Sequence, residues 1–298
     1  MNSRATFCLL GFFLFGCAPA AEQPPEAIQV DFEKLKNYWY GGKAELTKYN
    51  LRQARYGEVH EGHAVLIYVT ENFLADAQTK QEFGSDEAYS VLKLNATKKF
   101  LTGLYPYSTM ASVFTKMDRA DPVTTKISFS AQEWCGHAYM QLNRRGGELQ
   151  GTVHSYFQRV GDQNFSLPDA LTEDGIWTLM RIAPDQLPTG KITLVPSLEH
   201  QRMNHSGPET ATAEASLAVT TDPEMGDGNM FAYKLVYEAG RTLTIFFQQE
   251  APYAVKGWRE DLGRGLVTTA IASDQMITDY WSKNRNADRE LRRQLGLE

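Results

Sequence analysis

A chain of 298 residues, 42% of them hydrophobic, is long enough to bury a sizeable core. Its 30 Lys+Arg stand against 36 Asp+Glu, a net charge of −6 with no basic cluster, which argues against a phosphate backbone as partner, so no nucleic acid is expected. Only three cysteines occur, which excludes a disulfide-built scaffold.

The chain opens with one charge, Arg4, followed by an apolar run from Phe7 to Phe15 that ends in Leu14-Phe15-Gly16-Cys17. This run is too short to span a bilayer and has the make-up of a secretory signal. Leu three residues before Cys17 and Gly one before it make the stretch resemble a lipobox, the site at which bacterial lipoproteins are cleaved and acylated. The resemblance implies that residues 1–16 are removed and that Cys17 is the lipidation site. Several acyl chains, at about 0.8 kcal/mol per buried CH₂, then attach the chain stably to a membrane. Cleavage removes Arg4 and Cys8, leaving 29 Lys+Arg against 36 Asp+Glu and Cys135 as the single free thiol. The expected place is the cell envelope, as an outer-membrane lipoprotein facing the periplasm or the cell surface. Ala18–Gln29 is small, polar and Pro-bearing, and suits a tether of roughly 37 Å in extended form. Residues 17–29 thus form lipidated Cys and tether, and residues 30–298 a single β-rich domain.

Within the domain, Asp31–Tyr40 predicts a short helix stopped by Gly41-Gly42. The period then changes: Ala64–Val69 is apolar on both parities, as in a strand covered on two faces. Val91–Phe100, Leu104–Phe114, Lys126–Trp134, Ala138–Asn143 and Leu149–Phe157 also read as strands. Gly146-Gly147 between the last two predicts a hairpin. Leu171–Arg181 has helical spacing around Trp177. Lys191–Val195, Ala211–Val219, Phe231–Tyr237 and Thr242–Gln248 return to strand character, with a turn at Glu238–Arg241. Ser273-Asp274 predicts the cap of a last helix whose stripe is Met276, Ile277, Tyr280 and Trp281, with Arg289, Arg292 and Arg293 near its C-terminal end. The sum is a mainly antiparallel β fold: a strongly curved sheet or partial barrel with a few flanking helices and a C-terminal helix.

The stretch from Lys234 to Glu260, KLVYEAGRTLTIFFQQEAPYAVKGWRE, resembles the closing hairpin of uncharacterised antiparallel β proteins of the Gram-negative envelope, which again implies an all-β or half-barrel domain. Two further stretches, YWYGGKAELTKYNLRQARYGEVHEGHAVLIYVTENF and VLKLNATKKFLTGLYPYSTM, are similar to a group of lipoproteins of unknown function sometimes labelled "septum formation inhibitor Maf", a label that implies a role in cell division or envelope assembly. Maf nucleotide pyrophosphatases carry a Ser-x-Arg-Arg phosphate motif. Here Leu142-Asn143 precedes Arg144-Arg145 and Glu290-Leu291 precedes Arg292-Arg293, so the Ser is missing and that activity is rejected.

Two stretches could carry chemistry. Glu58-Val59-His60-Glu61-Gly62-His63 offers His60, Glu61 and His63 as metal ligands, although on a strand Glu58 and His60 face one side and Glu61 and His63 the other. Gln132–His137 places Glu133, Cys135 and His137 on one face if it is a continuous strand, an arrangement for an activated thiol oriented by a carboxylate. A polar turn and a buried, inert cysteine are the plainer readings of the two. If the stretches met on neighbouring strands, His63, Cys135 and His137 would form an open three-ligand zinc site. The leading expectation is a non-enzymatic protein with no cofactor: an open, apolar concave face would take an apolar small ligand, and a filled one would leave a structural role or an envelope protein partner. The alternative is a metal- or thiol-dependent enzyme built on the two stretches.

Overall fold

The computed structural model describes residues 28–84 and 87–298; the expected signal segment, the expected lipidation site Cys17 and the expected tether as far as Ala27 lie outside the described residues. After α1 (Phe32–Trp39) the chain walks through eight successive antiparallel strands: β1 (Ala44–Arg55), β2 (Glu58–Leu74), β3 (Ala88–Thr102), β4 (Tyr105–Lys116), β5 (Thr124–Glu133), β6 (Gly136–Arg145), β7 (Glu148–Ser155) and β8 (Gln163–Pro168). Short β9 (Leu171–Thr172) and α2 (Glu173–Ile182) then cross to the opposite edge. From there β10 (Gly190–Val195), α3 (Leu198–Asn204), β11 (Ala211–Asp222), β12 (Gly226–Tyr237), β13 (Thr242–Phe247), β14 (Val255–Asp261) and β15 (Val267–Thr278) walk back. β15 pairs with β1, so the two terminal strands meet in the middle of one 15-stranded sheet.

The sheet's edges are β8 and β9, separated in the chain only by Asp169 and Ala170. Three residue steps span at most roughly 10 Å, so the sheet must curl until its edges almost meet. The result is a partial barrel, antiparallel throughout except where β9 runs parallel to β10.

α2 lies against β3 and β4 on the concave side, and every residue of it except Trp177 is buried. It starts where it does because Thr172 caps it, accepting the Gly175 N–H at 3.2 Å, and because Glu173 and Asp174 suit the positive end of its dipole. At its far end Arg181 is fully buried, bidentate to Glu45 at 2.8 and 2.7 Å, with its guanidinium 4.4 Å from the Tyr68 ring. α2 and the inward residues of the strands form the main core.

The expected last helix from Ser273 is a correction. Residues 267–278 form β15, held along its length by β1 from Arg52↔Thr269 to Ala44↔Thr278. A bulge opposite Lys48 and Tyr49 admits Ser273 as an extra residue; the apparent helical stripe joins Met276 and Ile277, which face opposite sides at the end of β15, to Tyr280 and Trp281 in a short 3₁₀ turn beyond it. The C-terminal helix is shorter and later, α4 (Arg289–Gln294), and Leu295 behind it covers Ala44, Leu46 and Val69 on the convex face. Ala64–Val69 is therefore covered on both faces, as its sequence requires. Among the described residues no helix is long and apolar enough to cross a membrane.

Candidate functional site

Where α2 and α3 do not fill the concave face, a cavity of about 240 Å³ remains, bounded by those helices and by β1–β4, β13 and β14. Its origin lies in two small residues. Ala96 of β3 and Ala111 of β4 are direct cross-strand partners, both point inward, and the flanking pairs Leu94↔Val113 and Lys98↔Thr109 are larger. The floor is apolar, with Leu66, Leu94, Val113 and Leu243 beside two indoles, Trp177 and Trp258, packed edge to face at 5.2 Å.

The wall is charged, and its charges hold one another. Lys98 sits 2.7 Å from Glu199 and 5.6 Å from the Trp258 ring. Arg241 donates to Glu260 at 2.6 Å and to Glu173 at 2.7 Å, while Tyr237 also donates to Glu173. His200 places Nδ1 3.4 Å from Glu260. Burial pushes the Glu260 carboxyl up, but Arg241, the His200 hydrogen bond and Lys98 outweigh it and hold it below the usual carboxylate range. Burial would likewise neutralise Lys98, and Glu199 and Glu260 reverse that, leaving the ammonium more firmly protonated than usual. Asp174 is the exception: it gains one backbone hydrogen bond, from Leu198 at 3.0 Å, and burial pushes its carboxyl up to about 7.

The residues expected from sequence stand elsewhere. β2 has an unbroken register with β1, so His60 faces the concave side and Glu61 and His63 the convex side, as strand geometry requires. His60 Nε2 lies 3.0 Å from the Arg55 carbonyl. Half-buried His63 has its imidazolium disfavoured by burial, then by Lys99, Lys48 and Arg292. The reading of Gln132–His137 as one strand is corrected. Trp134 and Cys135 form a turn, Glu133 pairs with Gly136, and His137 pairs with Gln132, so Glu133 and His137 face opposite sides. Glu133 accepts the Cys135 N–H at 2.6 Å and pairs with Arg202 at 3.1 Å, while Cys135 itself is an exposed free thiol.

Nor do the two stretches meet. Three strands separate β2 from β6, a distance on the order of 19 Å at about 4.8 Å per strand, so His63, Cys135 and His137 do not converge. Among the described residues no group of three or more His, Cys, Asp or Glu side chains is arranged to hold a metal, and no Ser, Thr or Cys side chain is hydrogen-bonded to an imidazole. The cavity residues escaped the sequence reading, yet one signal was available. The inward row of β3 reads Leu92, Leu94, Ala96, Lys98, Phe100, and a lysine in an apolar row needs a buried partner.

Comparison with known proteins places the chain beside none of them: no family model, curated protein or solved structure matches.

Proposed function

We propose that this chain is an envelope lipoprotein, anchored through Cys17, that binds a small ligand with an apolar body in its concave cavity and does not transform it. The observation that carries the reading is the hollow over Ala96 and Ala111, an apolar recess with convergent polar groups inside the partial barrel. The mutual pairing of Lys98, Glu199, Arg241, Glu173 and Glu260 supports binding over catalysis, because a charge already held by a partner is poorly placed to attack or transfer a proton. The enzyme alternative built on His60, Glu61, His63, Glu133, Cys135 and His137 draws no support from their placement.

The test uses the neutral dye N-phenyl-1-naphthylamine, which brightens in apolar surroundings. Saturable brightening is expected with the natural chain and loss of it with Ala96→Trp or Ala111→Trp, each of which fills the recess. Circular dichroism and urea unfolding serve as controls on the fold. Undiminished dye binding by both filled variants would contradict the assignment.

A further inference from the structure

We infer that the ligand is a single-chain amphiphile whose anionic head lies at the cavity mouth between Arg55 and Arg264 and whose chain runs inward over Ala96 and Ala111. This rests on the reading of the cavity as a binding site and adds the class of molecule it takes.

The exposed lining residues mark the mouth. Tyr56 and Gly57 belong to the β1–β2 turn and Arg264 to the β14–β15 turn, and pairing of Arg52 with Thr269 puts both turns at the same end of the sheet. Deep in the cavity every cation has an anion beside it. At the mouth that balance stops: Arg55 and Arg264 line it, and neither makes an ion pair among the described residues. The carboxylate of neighbouring Asp261 accepts the Gly263 N–H at 2.7 Å and forms no ion pair with either arginine among the described residues. Two guanidinium groups without a counter-charge suit a carboxylate or a phosphate monoester.

Two buried polar atoms at this end point the same way. Gln53, 8% exposed, spends its amide N–H groups on the Ala54 carbonyl at 3.2 Å and Thr268 Oγ1 at 3.1 Å, which leaves Oε1 without a hydrogen bond among the described residues. Arg55 is pinned by its bond to the Met203 carbonyl at 2.6 Å and by the Tyr56 ring 4.5 Å from its guanidinium carbon, and its buried Nε is likewise unpartnered. Positions 53 and 55 share a face about 7 Å apart along β1. One atom needs a donor and the other an acceptor, so the head combines an anion with an adjacent O–H or N–H. Satisfying groups of this kind is worth most where water is excluded. At roughly 30 Å³ per heavy atom, the volume holds a chain of about eight atoms.

The experiment is calorimetric titration of the full chain, in mild non-ionic detergent, with octanoate, octyl phosphate, 3-hydroxyoctanoate, 1-octanol and octyltrimethylammonium. Octanoate or octyl phosphate is expected to bind at least tenfold tighter than 1-octanol, the cation weakest, and 3-hydroxyoctanoate several-fold tighter than octanoate. The better of the first two separates a carboxylate head from a phosphate. Arg264→Gln, at an exposed residue with no ion pair to lose, is expected to bring the anions toward 1-octanol's affinity while leaving 1-octanol unchanged. Gln53→Leu should erase the preference for the hydroxylated acid. Equal binding of octanoate, 1-octanol and the cation would overturn the head-group assignment with the cavity intact. If none of these probes nor the neutral dye binds, the cavity reading itself fails.

Discussion

Burial of Asp174 at the start of α2 leaves its carboxyl with one backbone donor and with Glu173 and Glu199 nearby, which lifts it from 3.8 to about 7. A carboxyl raised on folding stabilises the protein in its protonated form. Its contribution is fully present below about pH 3.8 and is lost as the pH rises through about 7. Asp174→Asn should therefore match the natural chain at pH 4 and exceed it at pH 8 by a margin on the order of 4 kcal/mol. Urea unfolding across that range checks this, and a difference that does not change with pH would refute the attribution. Arg181 and Glu45 make the opposite case, since burial would neutralise both and each is held charged by the other. Arg181→Met strands a buried carboxylate and should cost about 3–5 kcal/mol, much of it recovered in Arg181→Met with Glu45→Leu. A double-mutant cycle in denaturant measures the recovery. These pairs were hidden from the sequence because their members lie far apart along the chain. What could be seen was a misfit, Lys98 in an apolar row, without its partner.

At the level of elements, local rules carried most strands and the helices α1 and α2. The Gly146-Gly147 turn and the apolar runs fix neighbours by short connections alone. Failure came at element ends: the end of β15 and the Tyr280–Ser282 turn, which together look like a helical stripe, and the Trp134-Cys135 turn that divides what looks like one strand. Glycines in strand interiors mark where elements come too close for a side chain. A Cβ on Gly62 would lie 2.2 Å from the Lys99 carbonyl oxygen, and one on Gly257 2.4 Å from that of Ala270. The obstacle is backbone in both cases and cannot swing aside. Gly62→Ala and Gly257→Ala are expected to destabilise by about 1–3 kcal/mol each. Denaturant midpoints are the check, and a loss within roughly 0.5 kcal/mol, the scatter of surface substitutions, would show that the strands can part.

For the molecule as a whole, closely joined edge strands curl the sheet, α2 packs inside it, and the cavity over Ala96 and Ala111 reaches the end where Arg55 and Arg264 lie. A curved antiparallel sheet was legible in the succession of strands; the place of the cavity was not, since it depends on Ala96 and Ala111 meeting across a register that only the folded sheet sets. The proposed anchor belongs to this scale too. Cys17→Ala should move the chain from the membrane fraction to the soluble fraction and remove the acyl mass, and retention in the membrane fraction would contradict lipidation at that residue. The most direct measurement of the central claim is a methyl NMR spectrum of the full chain, labelled at alanine Cβ and titrated with octanoate in detergent. The Ala96 and Ala111 methyl signals are expected to shift together and saturably, while Ala44 on the convex face stays in place. Saturable shifts that spare Ala96 and Ala111, or none at all, would contradict the claim.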